Sequence, residues 1–318
     1  MYYRSFQAHN NSSINSLCSI KSTNFVLSGG GNDCLVRLHN LSNDHVQSTT
    51  FPKEHITAVN SIDVSDSGEI FVSGGGDTIN VWDSVKQCKL MRFQSINEQI
   101  RDEVFDCKIL NDSLVVSCGT NCFVNFHDLR QPKRTKPIYS VKAGNDNLNS
   151  LDYNPISKVL SVASLDGRLT RIDLRNQEVI RDGFDCGGLL NVRLCPGNRT
   201  LITFEDGKLK LCDSNDLQIM LEVTLSNDKL IYRITSEVIK DYYSETEYII
   251  SGSETGVVCM WKHDPADRTV TDFKTFEPPS ASCTDSSRIL SIVRFIASSN
   301  RLICSSENGL LHIWENVL

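Results

Sequence analysis

One pattern returns seven times along this 318-residue chain. Each copy is an apolar run ending in small residues, usually with serine. A tight turn with Asp, Asn or Gly follows, then alternating apolar residues closed by an aromatic or acidic residue. The copies read VLSGGGNDCLVRLHN, FVSGGGDTINVWD, VVSCGTNCFVNFHD, SVASLDGRLTRID, LITFEDGKLKLCD, IISGSETGVVCMWK and LICSSENGLLHIWE. A common position near the end of each copy falls at His39, Trp82, His127, Ile172, Cys212, Trp261 and Trp314. Successive spacings, by subtraction, are 43, 45, 45, 40, 49 and 53 residues. A recurring period of this size signals stacked structural units.

The physics of one unit predicts the whole. Each copy holds an alternating strand, a hairpin turn and another alternating strand. A four-stranded sheet alone leaves its faces uncovered, whereas sheets set radially around an axis cover one another. The expected class is all-β, a seven-bladed β-propeller. The pairs Ser28–Gly29, Ser73–Gly74 and Ser251–Gly252 are small enough for close packing near a crowded axis. The last copy ends at Trp314, and only residues 315–318 follow, so that blade lacks an outer strand. Residues 2–6, YYRSF, precede the first copy and can supply it. Pairing of this N-terminal strand with the last blade closes the ring without a free wide edge. Residues 1–318 are read as a single domain.

The period, the coverage of the whole chain and the dipeptide Trp82–Asp83 resemble the WD-repeat family. That resemblance implies a side-chain network joining a His, a second-strand Ser, a turn Asp and the Trp of each blade. The fullest set is His55, Ser73, Asp77 and Trp82. The first copy offers His9, Ser28 and Asp33, with His39 in place of Trp. The turn of the second copy is one residue shorter than the others, which is expected to displace Asp77 slightly. Later copies lack the His, so apolar packing must carry most of their stability. A hydrolytic triad needs an exposed nucleophile and an oxyanion hole. The implied network lies inside a blade, so no enzyme is expected.

Composition narrows the function further. Net charge is −7 with 22% charged residues spread along the chain, which disfavours a nucleic-acid binder or a polybasic membrane surface. No charged segment followed by an apolar run opens the sequence, and no stretch is long and apolar enough to span a bilayer. The expected location is cytoplasmic, nuclear or both. The twelve cysteines contain no CxxC pair; the nearest approach is Cys118 with Cys122. Most are read as small buried hydrophobes. No phosphate-binding loop, nucleophile elbow, HExxH or calcium loop occurs. No cofactor and no metal are expected.

Three segments depart from the regular spacing: residues 94–106, polar and acidic; residues 131–137, QPKRTKP; and residues 263–288, a long loop rich in Ser, Thr, Asp and Pro. They are candidate binding loops or solvated linkers.

Within the family, SLDGRLTRIDLR and the following LITFEDGKLKLCD look similar to the mitogen-activated-protein-kinase organiser family of small propellers. SGGGD, KLIYRI and YIISGSETGVVCMWK fit as well, while the missing tryptophans and the segment 263–288 depart from it. The resemblance implies a monomeric scaffold for kinase-cascade or pre-mRNA splicing components. Separately, HDLR and IDLR place Asp-x-Arg at the ends of consecutive copies. This resembles substrate receptors of cullin-RING ubiquitin ligases, with Arg130 and Arg175 meeting an adaptor's carboxylates. Arg168, Arg171 and Arg175 are read as sharing a face, and with Lys142 and Arg130 as a positive patch for an acidic partner peptide. The alternative is a solvated exterior.

Overall fold

A computed structural model describes residues 1–318 except 44, 95–101, 132, 185–186, 242–245, 265–268 and 280–288. Its strands form seven four-stranded antiparallel sheets. The innermost strands are Ile14–Ser19, Ser61–Val64, Val104–Asn111, Leu148–Asn154, Leu189–Cys195, Ser236–Lys240 and Leu290–Ile296. Each contacts the next, and the last returns to the first, so the sheets are blades around a central channel.

The alternation read from sequence is what buries the blades. In blade 2, Ile79 and Val81 face one neighbour and pack with Val104, Cys107 and Val115 of blade 3. Trp82 faces the other way and packs with Leu27, Val36, Phe51 and Phe71. Each fully buried side chain of this size contributes roughly 1.5–3 kcal/mol relative to exposure. The small residues sit where expected. A Cβ on Gly74 would lie 2.7 Å from Val104, and one on Gly29 would lie 2.6 Å from Val59. Both contacts are with the next blade.

Closure follows the expected route. Tyr2–Gln7 pairs antiparallel with Leu310–Glu315, from Tyr2 opposite Glu315 to Gln7 opposite Leu310. Tyr3 lies 5.5 Å from Trp314 between ring centroids, and its hydroxyl is 2.8 Å from His312 Nδ1. Arg301 and Arg4 both reach Glu315, at 2.9 and 3.2 Å.

The segment 263–288 differs from a plain loop. Val258–Asp264 pairs with a further strand, Thr269–Phe276, which is the outer strand of blade 6. Its β-branched and aromatic residues, TVTDFKTF, suit an edge strand, exposed at every residue but Phe276. The remainder of that segment, and 95–101 of the acidic segment, fall largely outside the described residues.

Candidate functional site

The common position of the repeat is structurally equivalent in every blade. His39, Trp82, His127, Ile172, Cys212 and Trp314 each sit opposite the second residue of the neighbouring strand, and Trp261 opposite the third, Ile249. Around it, blades 1 and 2 build polar networks. In blade 1, Ser28 Oγ lies 2.8 Å from His9 Nε2 and 2.7 Å from His39 Nε2. His9 Nδ1 is 2.7 Å from Asp33, and His39 Nδ1 is 2.7 Å from Ser48. One proton arrangement satisfies all four contacts: Ser48 donates to His39, His39 to Ser28, Ser28 to His9, and His9 to Asp33. Ser28 is fully buried between two imidazoles and has no approach for a substrate.

In blade 2, Trp82 Nε1 donates to Ser73 Oγ at 2.8 Å, and Ser73 lies 2.7 Å from His55 Nε2. Asp77, expected as the fourth member, is exposed instead. Asn80 takes its place, with Nδ2 3.1 Å from His55 Nε2. The short turn displaces the aspartate fully rather than slightly, and a strand residue two positions before Trp82 fills the gap.

The expected positive patch is not assembled. Arg168 and Arg171 are three residues apart on one strand, so they point to opposite faces. Arg171 is bound to Asp182 at 2.8 Å and to the carbonyls of Ser214 and Asn215. Arg168 and Lys142 stand at the end of the ring that carries the blade-to-blade connections, where each innermost strand begins. Arg130 and Arg175 follow the third strands of blades 3 and 4 and stand at the opposite end. Each chelates its own aspartate, Arg130 with Asp128 at 2.9 Å and Arg175 with Asp173. The paired arginine side chain, followed by its backbone N–H, holds each of these carboxyls down to about 2.

Three features of the channel were not anticipated. The first is a belt of charge. The residue after the one opposite the repeat's serine position (Val162, Ile202 and Cys304 in blades 4, 5 and 7) is, blade by blade, Cys18, Asp63, Lys108, Asp152, Arg193, Glu237 and Arg294. Acids stand on blades 2, 4 and 6, and cations on blades 3, 5 and 7. A ring of seven cannot alternate without a break, and the uncharged Cys18 occupies it, between Arg294 and Asp63. Lys108 lies 3.0 Å from Asp152 and 3.6 Å from Asp63. The acids also accept backbone N–H groups of the following blade: Ile109 on Asp63, Leu194 on Asp152 and Phe295 on Glu237. Burial disfavours the Asp152 carboxylate, but Lys108 and Arg193 outweigh it and keep its pKa below the usual range. Burial, and then Arg193, bring Arg294 down to about 10.

The second feature is a strap. Residues 225–235, between blades 5 and 6, send the Arg233 side chain across the channel. Arg233 donates to the Phe105 carbonyl and to Asp106, each at 2.8 Å, and to the Asn60 carbonyl at 3.3 Å. Asp106 is a hub that also accepts from Ser61 at 2.6 Å, Ser150 at 3.2 Å and the Leu151 N–H at 3.0 Å. The strap therefore ties the blade 5–6 connection to blades 2, 3 and 4.

The third is a cavity of about 500 Å³ at the strapped end. Its apolar lining includes Phe105, Leu165, Leu190, Leu230 and Ile292, and Asn15, Asn60, Asn147 and Asn149 supply amides. A smaller cavity of about 90 Å³ lies among the belt residues and shares Asn15, Asn60, Arg233 and Ile292 with the larger one. Among the described residues, no group of three His, Cys, Asp or Glu side chains is placed to hold a metal ion, and no helix is long and apolar enough to cross a membrane.

The family model for the WD domain, G-beta repeat, matches residues 2–40 and 46–83. These are the first two repeats, with the closing strand at their start. Together with the seven-bladed ring and its N-terminal closure, this decides the fold. The chain is a seven-bladed β-propeller whose first two blades match the WD repeat. The blades that resemble the kinase-organiser family, at residues 164–213, lie outside the matched repeats. WD-repeat propellers are in general platforms that bind other proteins.

The belt did carry a signal in the sequence: the inner-strand segments SLCS, SIDV, DCKI, SLDY, NVRL, TSEV and IVRF align a charged residue at the third place in six of the seven copies, with Cys18 in the first. The strap carried none, because the partner of Arg233 lies 127 residues away.

Proposed function

We propose that this propeller is a non-enzymatic platform that holds other proteins at its strapped end. The observation that carries the reading is the 500 Å³ cavity, lined by apolar side chains and four asparagine amides, at the end where the blade connections gather. A concave, mostly apolar site with a few oriented polar groups is the usual shape of a recognition site. The finer reading, a scaffold for kinase-cascade or splicing components, draws on the resemblance of blades 4 and 5 to the kinase-organiser family. Affinity purification of the tagged chain from its own cells, with mass spectrometry, tests both levels. Stoichiometric kinase-cascade or splicing proteins support the finer reading. Other stoichiometric proteins support the platform alone. A chain recovered by itself overturns the platform.

A second reading, docking on a cullin-ligase adaptor, is favoured by one observation. Arg130 and Arg175 occupy equivalent places on adjacent blades, with side chains 75% and 65% exposed. Arg130→Ala combined with Arg175→Ala would then abolish adaptor co-precipitation with the melting curve unchanged. Unaltered co-precipitation sinks this reading.

A further inference from the structure

We infer that the strapped end recognises an extended peptide segment carrying a bulky apolar residue next to a lysine or arginine; this rests on the platform reading and gives its partner a chemistry. The argument begins with the strap. Its tip is pinned from both sides. The backbone N–H groups of Ile231 and Tyr232 donate to Glu254 at 2.7 and 2.6 Å, and Arg233 is anchored on Asp106. A loop held this way presents its intervening side chain in a fixed place. That side chain is Ile231, 83% exposed at the lip of the cavity. An exposed apolar residue on a fixed backbone, beside an apolar hollow, offers a partner buried area with little ordering cost.

Charge selects the partner's sign. Glu205 and Glu307 line the cavity, and Glu254 and Glu103 flank it through the strap and Asn60. Only Glu205 is matched by a cation, Lys229 at 2.8 Å. Glu254 is met by the two backbone N–H groups, Glu103 by the Asn60 amide and the Glu307 carboxylate by the Tyr232 phenol. Those donors are neutral, so three carboxylates keep their charge uncancelled among the described residues. Among the described residues the one cation in the lining, Arg233, is spent on Asp106. The lip is therefore acidic around an apolar centre, which complements a cation beside an apolar side chain. The asparagine side chains suit the backbone of an extended segment: Asn60 and Asn149 use their NH2 groups on Val104, Glu103 and Leu189, which turns their carbonyl oxygens to accepting.

The test is selection of a random peptide display library on the full-length chain, followed by affinity measurement with the selected peptide made synthetically. The expected consensus is a bulky apolar residue with Lys or Arg within two positions. Ile231→Asp and Glu307→Lys should each weaken the selected peptide by about tenfold or more. Ile156→Asp serves as the control, because Ile156 is 91% exposed at the other end of the ring. It should change nothing. Rising salt should weaken binding. An acidic consensus, a consensus without a cation, no enrichment, or indifference to both strapped-end variants overturns the inference. The platform reading fails separately. If cellular partners are recovered and both strapped-end variants retain them, the platform stands and this site is wrong; if none are recovered, the platform falls.

Discussion

Blades 1 to 3 and blades 4 to 5 solve the same packing problem with different chemistry. At the common position and its diagonal partner on the second strand, the first group places Ser28 with His39, Ser73 with Trp82 and Ser117 with His127. The second group places Val162 near Ile172 and Ile202 near Cys212, all buried. The blade geometry is the same in both. The polar network is therefore not what makes a blade. It is one way to fill the space, and the family model matches the two repeats where it is complete. What all blades share is the alternating burial, the hairpin turns and contact of each inner strand with the next.

If shared geometry matters more than the network, the largest effect should come from breaking the ring itself. Deletion of residues 1–7 removes the whole closing strand and uncovers Trp314, leaving both polar and apolar blades in an open ring. The expected loss exceeds the roughly 5 kcal/mol that single substitutions rarely pass, and thermal melting should lose its cooperative transition. A melting curve like that of the full chain would mean that closure is not needed and that blades stand independently.

Next in size is the belt, the device that ties the apolar blades to their neighbours. Asp152→Ala on blade 4 leaves Lys108 and Arg193 facing each other's charge in a buried channel. Removing one partner of a buried ion pair costs about 3–5 kcal/mol. Chemical denaturation would measure it. A loss under about 1 kcal/mol would show that the belt is solvated and decorative.

Ser73→Ala probes the polar group directly. Trp82 Nε1 loses its acceptor inside a fully buried blade, at a cost of about 1–3 kcal/mol. The same change made in a Trp82→Phe background should cost about 1 kcal/mol less, because the indole N–H is no longer there to be stranded. Strict additivity of the two changes would deny that the pair acts as a unit.

The sequence carried the fold because the fold depends on a local, repeated alternation that any copy displays. It carried half of the networks. His9, Ser28 and Asp33 meet as expected, but Asp77 does not, because one missing turn residue moves it outward and Asn80 replaces it. The belt was written in the sequence too, yet it becomes visible only once cross-strand register fixes which residue faces the channel. The arginine patch failed on parity: a three-residue step reverses the face of a strand, and the turns then send Arg130 and Arg175 to the far end. The strap was illegible, since a bond from Arg233 to Asp106 depends on the ring being closed.

The smallest effect at neutral pH separates the two groups by acid lability. Burial lowers His39 to about 3 and His55, His127 and His312 to about 4, all on blades 1, 2, 3 and 7. Blades 4 and 5 contain no histidine. Between the ordinary value of 6.5 and the folded value, the unfolded chain binds more protons than the folded one. Each neutral imidazole thus contributes its full share above about pH 6.5, and that share is lost as pH falls toward about 4. His127 is the informative one to replace. Its Nε2 is a long 3.5 Å from Ser117, its Nδ1 has no partner among the described residues, and its ring already lies 4.8 Å from Phe93. His127→Phe should shift stability at pH 7 by under about 1 kcal/mol, since one weak hydrogen bond is lost and an unpaired buried nitrogen is removed. Below pH 6.5 the variant should pull ahead, because it has one fewer proton to take up on unfolding. The slope of unfolding free energy against pH should fall by up to about 1.4 kcal/mol per pH unit. Parallel curves for the variant and the parent chain would place the acid response elsewhere and remove the pH argument from the contrast between the blades.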